Sequence, residues 1–305
     1  MYTKFYRLDE KPFEITPDPR FLYITENHKE ALAHLIYGIK EKKGLTVITG
    51  EVGTGKTTLV HTLLKRLNRV DGNTRIAYVF NPKLDVADFL QYICEDLGLT
   101  GPKRSKGENI AQLNKFLLDS HAQNRNVVLI IDEAQKLDPE LLEEVRLLTN
   151  LETATRKLLQ IILMGQPELS ELLNRPQCLP LKQRISLRYH LKPLNEEETK
   201  EYIHRRLRIA GLVNPNIFSH KALDEIYVYS KGIPRSINIV CDNALLRGYA
   251  ADQKTIGDRI VREVISNLDG QVTKNHSGRL ERPILRFFSR FSWRGTKRKT
   301  NEQNL

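Results

Sequence analysis

Cysteine is scarce in this sequence: Cys94, Cys178 and Cys241 are odd in number, far apart and without a CxxC spacing. That excludes a disulfide framework and a zinc ribbon, and it fits the reduced thiols of a cytosolic protein. Long apolar runs are missing too. No stretch approaches the roughly 18 apolar residues of a membrane span, and Met1 to Glu10 carries charges where a signal peptide has its apolar run. The expectation is a cytoplasmic chain that does not cross a bilayer. Internal repeats and low-complexity tracts are also absent.

What is present is an ordinary globular composition with uneven charge. The chain has 305 residues, 40% hydrophobic and 28% charged, enough for about two domains and a sizeable core. Lys+Arg 48 against Asp+Glu 37 gives +11, a surplus that suits an anionic partner. Residues 270–305 hold nine Lys/Arg against two acids, Glu281 and Glu302, so they carry +7 and the rest of the chain only +4.

Short runs rich in β-branched residues alternate with amphipathic stretches, the pattern of an α/β parallel sheet covered by helices. The expected strands are Leu45 to Thr49, Arg75 to Phe80, Val127 to Ile131 and Leu158 to Met164. Helices are expected at about Lys56 to Asn68, Val86 to Leu97, Asn109 to Ala122 and Pro139 to Leu151. From Asn195 the pattern is helical only, at Glu196 to Ala210, His220 to Tyr229, Arg235 to Tyr249 and Gly257 to Leu268. The expected domains are therefore an α/β nucleotide-binding unit with an N-terminal extension over 1–194, a small all-α lid over 195–269 and a basic tail over 270–305.

The chemistry concentrates in a loop between the first strand and the first helix. Gly50, Glu51, Val52, Gly53, Thr54, Gly55, Lys56 and Thr57 form a full GxxxxGK[ST] match, with Thr58 following. Its glycines let backbone N–H groups wrap a phosphate, Lys56 reaches the β and γ phosphates, and the Thr57 hydroxyl is a ligand for Mg²⁺. Downstream, the apolar strand Val127 to Ile131 ends in Asp132 and Glu133. Asp132 is placed to hold the Mg²⁺ water shell and Glu133 to polarise an attacking water, which points to hydrolysis. The fourth strand runs into Gly165-Gln166-Pro167, setting Gln166 where it orients water or senses the γ-phosphate. A plain turn residue is the other reading of Gln166. Arg235, in Gly232-Ile233-Pro234-Arg235, opens a lid helix that would reach the phosphates. Arg184 follows the last motif of the α/β unit, where a guanidinium supplied in trans to a neighbouring subunit stabilises transition-state charge; Arg188 is its nearest rival.

In this order the motifs resemble those of the AAA+ ATPases: Walker A, Walker B with paired acids, a polar sensor, an arginine finger and a lid with a GxPR motif. The N-terminal signature narrows the resemblance. Pro12-Phe13, Thr16-Pro17-Asp18-Pro19-Arg20-Phe21-Leu22-Tyr23, His28, Glu30-Ala31 and Tyr37-Gly38-Ile39 resemble the general secretion pathway protein A (ExeA-type) family, as do Gly165-Gln166-Pro167-Glu168-Leu169 and Gly232 to Asn238. Arg7 stands where that family usually has Gly. The resemblance implies a P-loop AAA+ fold, ATP rather than GTP, Mg²⁺, a homo-oligomer, and a role in assembling a secretion, pilus or exopolysaccharide system of the envelope. Secretion members continue through a membrane span into a peptidoglycan-binding region, so the expectation here is the shorter, ATPase-only form.

The tail supplies the remaining expectations. Residues 282–294 repeat arginine every four positions, and wound as a helix they would gather Ile284, Leu285, Phe287, Phe288 and Phe291 on one face. That layout suits peripheral contact with an anionic inner membrane or docking to an envelope-assembly protein; a solvated tail is the bland alternative, and nucleic acid the weakest. A DNA-associated AAA+ switch of the transposition or origin-binding type is the rival function, and no winged-helix or helix-turn-helix module follows the lid to support it.

Overall fold

The computed structural model describes residues 1–15, 18–70, 73–99, 101 and 105–270. Thr16 and Pro17 of the N-terminal signature, and the basic segment 282–294 with nearly all of the expected tail, lie outside them. In chain order the elements are α1 (Tyr2–Tyr6), α2 (Glu26–Lys40), β1 (Leu45–Gly50), α3 (Lys56–Val70), β2 (Thr74–Val79), α4 (Val86–Asp96), α5 (Lys106–Ala122), β3 (Asn126–Ile131), α6 (Pro139–Leu148), β4 (Leu159–Gly165), α7 (Glu168–Leu173), α8 (Leu179–Lys182), β5 (Ile185–Leu191), α9 (Glu196–Ile209), α10 (His220–Ser230), α11 (Pro234–Ala250) and α12 (Asp258–Leu268). Among the described residues, no helix is long and apolar enough to cross a membrane.

The five strands pair in parallel in the order β2-β3-β4-β1-β5. β1 and β4 are buried along their whole length, as a parallel strand covered on both faces should be. Leu45, Leu129 and Leu163 face the layer that holds Phe89, Leu113 and Leu141, whereas Ile48, Ile130 and Met164 face Leu35, Leu59 and Leu63 on the other side. Because every strand points the same way, the loops after β3, β4 and β1 emerge side by side at one edge. Three of the sequence motifs sit on those three loops.

Besides the short helices α1, α7 and α8, two longer elements escape the periodicity reading. β5 alternates partly buried with exposed residues before ending in buried Leu191, and its polar positions Ser186, Arg188 and His190 hide it from a search for continuous apolar runs. α2 starts at Thr25, whose hydroxyl accepts from the His28 backbone N–H. Helix starts also move where a cap dictates: α5 opens before Asn109 because Ser105 and Glu108 form a reciprocal capping box.

The helices after Asn195 build a separate core around Tyr202, Ile237, Val240 and Val261, and the N-terminal segment joins it through Tyr2, Tyr6, Phe13 and Phe21. Tyr6 Oη donates to the Gln253 carbonyl at 2.9 Å, and Tyr2 Oη donates to Asp242. The chain thus starts on the helical unit, crosses to the sheet at α2 and returns after β5. The two units meet at Leu194, whose N–H donates to Gly232 O at 2.9 Å. Gly232 has φ +72°, and a Cβ there would stand 1.8 Å from the Leu194 carbonyl oxygen. Gly232→Ala is therefore expected to cost about 3 kcal/mol or more. A scanning calorimeter should read that as a fall in Tm of roughly 5 °C or more, and an unchanged Tm would show that the junction yields easily.

Candidate functional site

The loop after β1 turns back on itself before α3. Thr54 Oγ1 donates to Glu51 O at 2.8 Å, and the chain passes Gly53 at φ +84°, a conformation that side chains resist. A Cβ on Gly53 would also stand 2.6 Å from Arg235 Cβ, so the helical unit rests directly on this loop. Lys56 opens α3, is only 6% exposed, and donates from Nζ to the carbonyls of Gly50 (2.7 Å) and Glu51 (2.9 Å). Burial pushes its ammonium below the ordinary lysine value, against the opposing pull of Glu133, Asp132, Glu51 and Glu168.

Asp132 and Glu133 follow β3 across the cleft from that loop. Asp132 is 5% exposed, and its Oδ2 accepts from Thr57 Oγ1 (3.3 Å) and Tyr78 Oη (3.0 Å). Burial first, then the Asp132 charge and hydrogen bond, push the Tyr78 hydroxyl well above its usual range, so it stays a donor. Glu133 has φ +53°, a left-handed conformation costing roughly 1–3 kcal/mol for a residue with a side chain. Its Oε2 accepts from Gln135 Nε2 (3.0 Å) and Gln166 Nε2 (3.4 Å) and pairs with Lys136 Nζ (3.2 Å). Burial alone would raise this carboxyl, but Lys136, Gln135 and Gln166 together hold it below the ordinary carboxylate range. Gln135 Oε1 in turn accepts the Gln166 backbone N–H at 3.1 Å, which locks the loops after β3 and β4 together.

Arg235 begins the first turn of α11, with its N–H directed at Gly53 O (3.4 Å), and it lines the cleft. Arg184 does not. Its Nη1 donates to Thr149 Oγ1 (3.0 Å) and Asn150 Oδ1 (2.5 Å) beyond the end of α6. Arg188 is exposed on β5 and donates to Lys182 O at 3.3 Å. The loop Gly50–Thr58, Asp132, Glu133, Gln166 and Arg235 therefore gather at one end of the sheet, while Arg184 lies apart from them.

Sequence reasoning gave no role to three residues of this neighbourhood. Tyr78 comes from β2, beside β3, and only strand order reveals that it reaches Asp132. Gln135 carries a signal in hindsight, a polar side chain two residues after the paired acids. His28 on α2 was visible only inside the N-terminal signature. It is buried between Thr25 Oγ1 (Nδ1, 2.8 Å) and the Thr54 carbonyl (Nε2, 3.3 Å) of the loop. A carbonyl can only accept, so Nε2 carries the hydrogen, and burial keeps the imidazole neutral by lowering its pKa.

The cleft above the loop measures about 980 Å³. Besides the loop it is walled by Phe21 and Tyr23 of the N-terminal segment and by Tyr202, Arg206 and Asn238 of the helical unit. One end offers backbone N–H groups at a helix start and a lysine, which suits a polyphosphate. The other end is aromatic and apolar with a few polar groups, which suits a base. No cluster of three or more His, Cys, Asp or Glu able to hold a metal exists among the described residues. Mg²⁺ needs none here, since it takes one or two protein oxygens and completes its octahedron with phosphates and water. Thr57 Oγ1 and Asp132 Oδ2, side by side at the phosphate end, are oxygens of that kind.

Residues 39–173 match the family described as AAA domain. General secretion pathway protein A of Aeromonas hydrophila is 47% identical over 251 residues, which are 82% of this chain and 45% of that protein. The chain thus spans less than half the length of this curated relative. Among solved structures, Drosophila ORC bound to DNA aligns with a TM-score of 0.66 at 18% identity, over 88% of this chain and 66% of that one. Cdc6p from Pyrobaculum aerophilum aligns with a TM-score of 0.62 at 18% identity, over 82% and 70%. At such identities these two share the fold.

Proposed function

The chain belongs to the AAA-type P-loop NTPases as a homologue of general secretion pathway protein A, and on that premise we propose that it is an Mg²⁺-dependent ATPase serving the assembly of an envelope system for secretion, pili or exopolysaccharide. The observation that carries the enzymatic part is the convergence of the Gly50–Thr58 loop, Asp132, Glu133 and Gln166 at the carboxyl ends of β1, β3 and β4. The assembly role rests on the relative alone.

In this reading the loop amides and Lys56 bind the phosphates, and bound Mg²⁺ would neutralise charge on the β and γ oxygens, held by Thr57 and by Asp132. Glu133, ionised at neutral pH, accepts hydrogen bonding from the attacking water and takes its proton. Gln166 shares Glu133 Oε2 and so fixes where that carboxylate can point. Arg235 moves with the helical unit and couples its position to the phosphates. Arg184, anchored away from its own cleft, serves a neighbouring copy in a homo-oligomer.

A phosphate-release assay tests the whole reading. ATP turnover should fall to background when Mg²⁺ is chelated and return when it is restored. Specific activity should rise with protein concentration, because the Arg184 of one copy completes the site of another. Turnover that survives chelation would remove the metal from the proposal, and specific activity independent of concentration would remove the neighbour.

A further inference from the structure

Arg206 on α9 is 7% exposed, and the hydrogen bonds of its guanidinium all go to neutral oxygens, while the Asp18 carboxylate feels its charge without a direct bond among the described residues. A buried guanidinium without a carboxylate must be held by neutral acceptors. Nε donates to Pro12 O (2.5 Å), Nη2 to Glu14 O (3.3 Å) and Nη1 to Tyr202 Oη (3.0 Å). The guanidinium also lies over the Phe21 ring, 4.6 Å from its centroid. It therefore pins the N-terminal segment against the helical unit at the end of the cleft remote from the phosphate loop.

The same residue orders a chain of hydrogen bonds. Arginine can only donate, so Tyr202 Oη accepts from it and sends its single hydrogen on to Asn238 Oδ1 at 2.9 Å. With its oxygen committed, the Asn238 amide keeps its two N–H donors for something else. Asn238 is 7% exposed, sits one turn after Arg235 on α11 and lines the cleft.

We propose that Arg206 is a positioning residue for nucleotide recognition: through Tyr202 it orients the Asn238 amide so that its N–H groups meet an acceptor on the base or ribose of a nucleoside triphosphate. The proposal rests on the ATP reading above and deepens it. Phosphates anchored at Gly50–Thr58 leave the base and ribose to reach the stretch walled by Phe21, Tyr202 and Asn238. Arg206 touches no ligand; it sets the wall and the amide that do.

Calorimetric titration with two ligands, Mg²⁺-ATP and inorganic tripolyphosphate, separates the two ends of the site. Tyr202→Phe keeps the ring and cuts the relay, and Asn238→Ala removes the amide. Each is expected to weaken ATP about five- to tenfold and to leave tripolyphosphate unchanged, with KM raised and kcat at saturating ATP kept. Arg206→Ala should do the same or more, and Arg206→Lys should not rescue it, because a compact ammonium lacks the planar fork that spans Pro12 O, Glu14 O and Tyr202 Oη. Since Arg206→Ala risks opening the junction, Tyr202→Phe decides. Unchanged ATP affinity in Tyr202→Phe and Asn238→Ala, or equal losses for ATP and tripolyphosphate, would overturn the proposal. A wild-type chain that binds neither ligand would overturn the nucleotide reading beneath it.

Discussion

Glu133→Gln is expected to lower ATP turnover about 10²- to 10⁴-fold, the usual worth of a positioned general base, while ATP affinity stays within a few-fold. The substitution changes little else. A glutamine carbonyl oxygen can accept the same bonds from Gln135, Lys136 and Gln166, so the loops after β3 and β4 keep their geometry. What disappears is the lone pair that takes the proton. The pH profile should carry the same signature. Burial works to raise the Glu133 carboxyl, yet its three donors hold it below the ordinary carboxylate range. A group depressed on folding adds stability above its unfolded pKa and loses that contribution as pH falls through its folded pKa. Turnover should therefore remain on its plateau through mildly acidic pH, and any acid limb should lie under the usual glutamate value. A Glu133→Gln protein that keeps more than a tenth of wild-type turnover would assign the base to another group.

How much of this was legible in the sequence depends on how many neighbours each feature needs. The loop Gly50–Thr58 and the acids after β3 announce themselves because each is a local constraint: glycines at positive φ, a lysine at a helix start, carboxylates at the end of a buried strand. Gln166 is legible from its place after an apolar run, although its direct bond to Glu133 and its backbone tie to Gln135 are not. Strand β5 was missed because an edge strand alternates and exposes half its side chains. Tyr78 and His28 are non-local. Tyr78 matters because β2 lies beside β3, and His28 because α2 brings its ring under the Thr54 carbonyl. The attachment of the first residues to the helical unit is likewise a tertiary fact, since Tyr2 meets Asp242 across 240 residues of sequence.

Lys56→Ala should lose nucleotide binding at ATP concentrations that saturate the wild type and lower turnover at least about 10²- to 10³-fold, where Glu133→Gln spares binding. The ammonium is, among the described residues, the side-chain cation enclosed by the loop itself. Its two bonds to the Gly50 and Glu51 carbonyls keep it at the mouth of the loop, where phosphate oxygens would exchange for them. Removing one such preorganised donor costs about 10²- to 10³-fold in turnover, and the lost ground-state phosphate contact weakens binding besides. The unliganded fold should hardly notice. Burial already lowers the Lys56 pKa, so its charge is held at a cost that alanine escapes, and that offsets two carbonyls left to water. Thermal shift separates the variants in one assay. At ATP a hundredfold above Kd, binding stabilises the native state by about 2.7 kcal/mol, roughly 4 °C in Tm for a chain of 305 residues. Wild type and Glu133→Gln should both gain that shift. Lys56→Ala should start from nearly the same Tm and gain none of it, and a full shift in this variant would place the phosphates somewhere other than the Gly50–Thr58 loop.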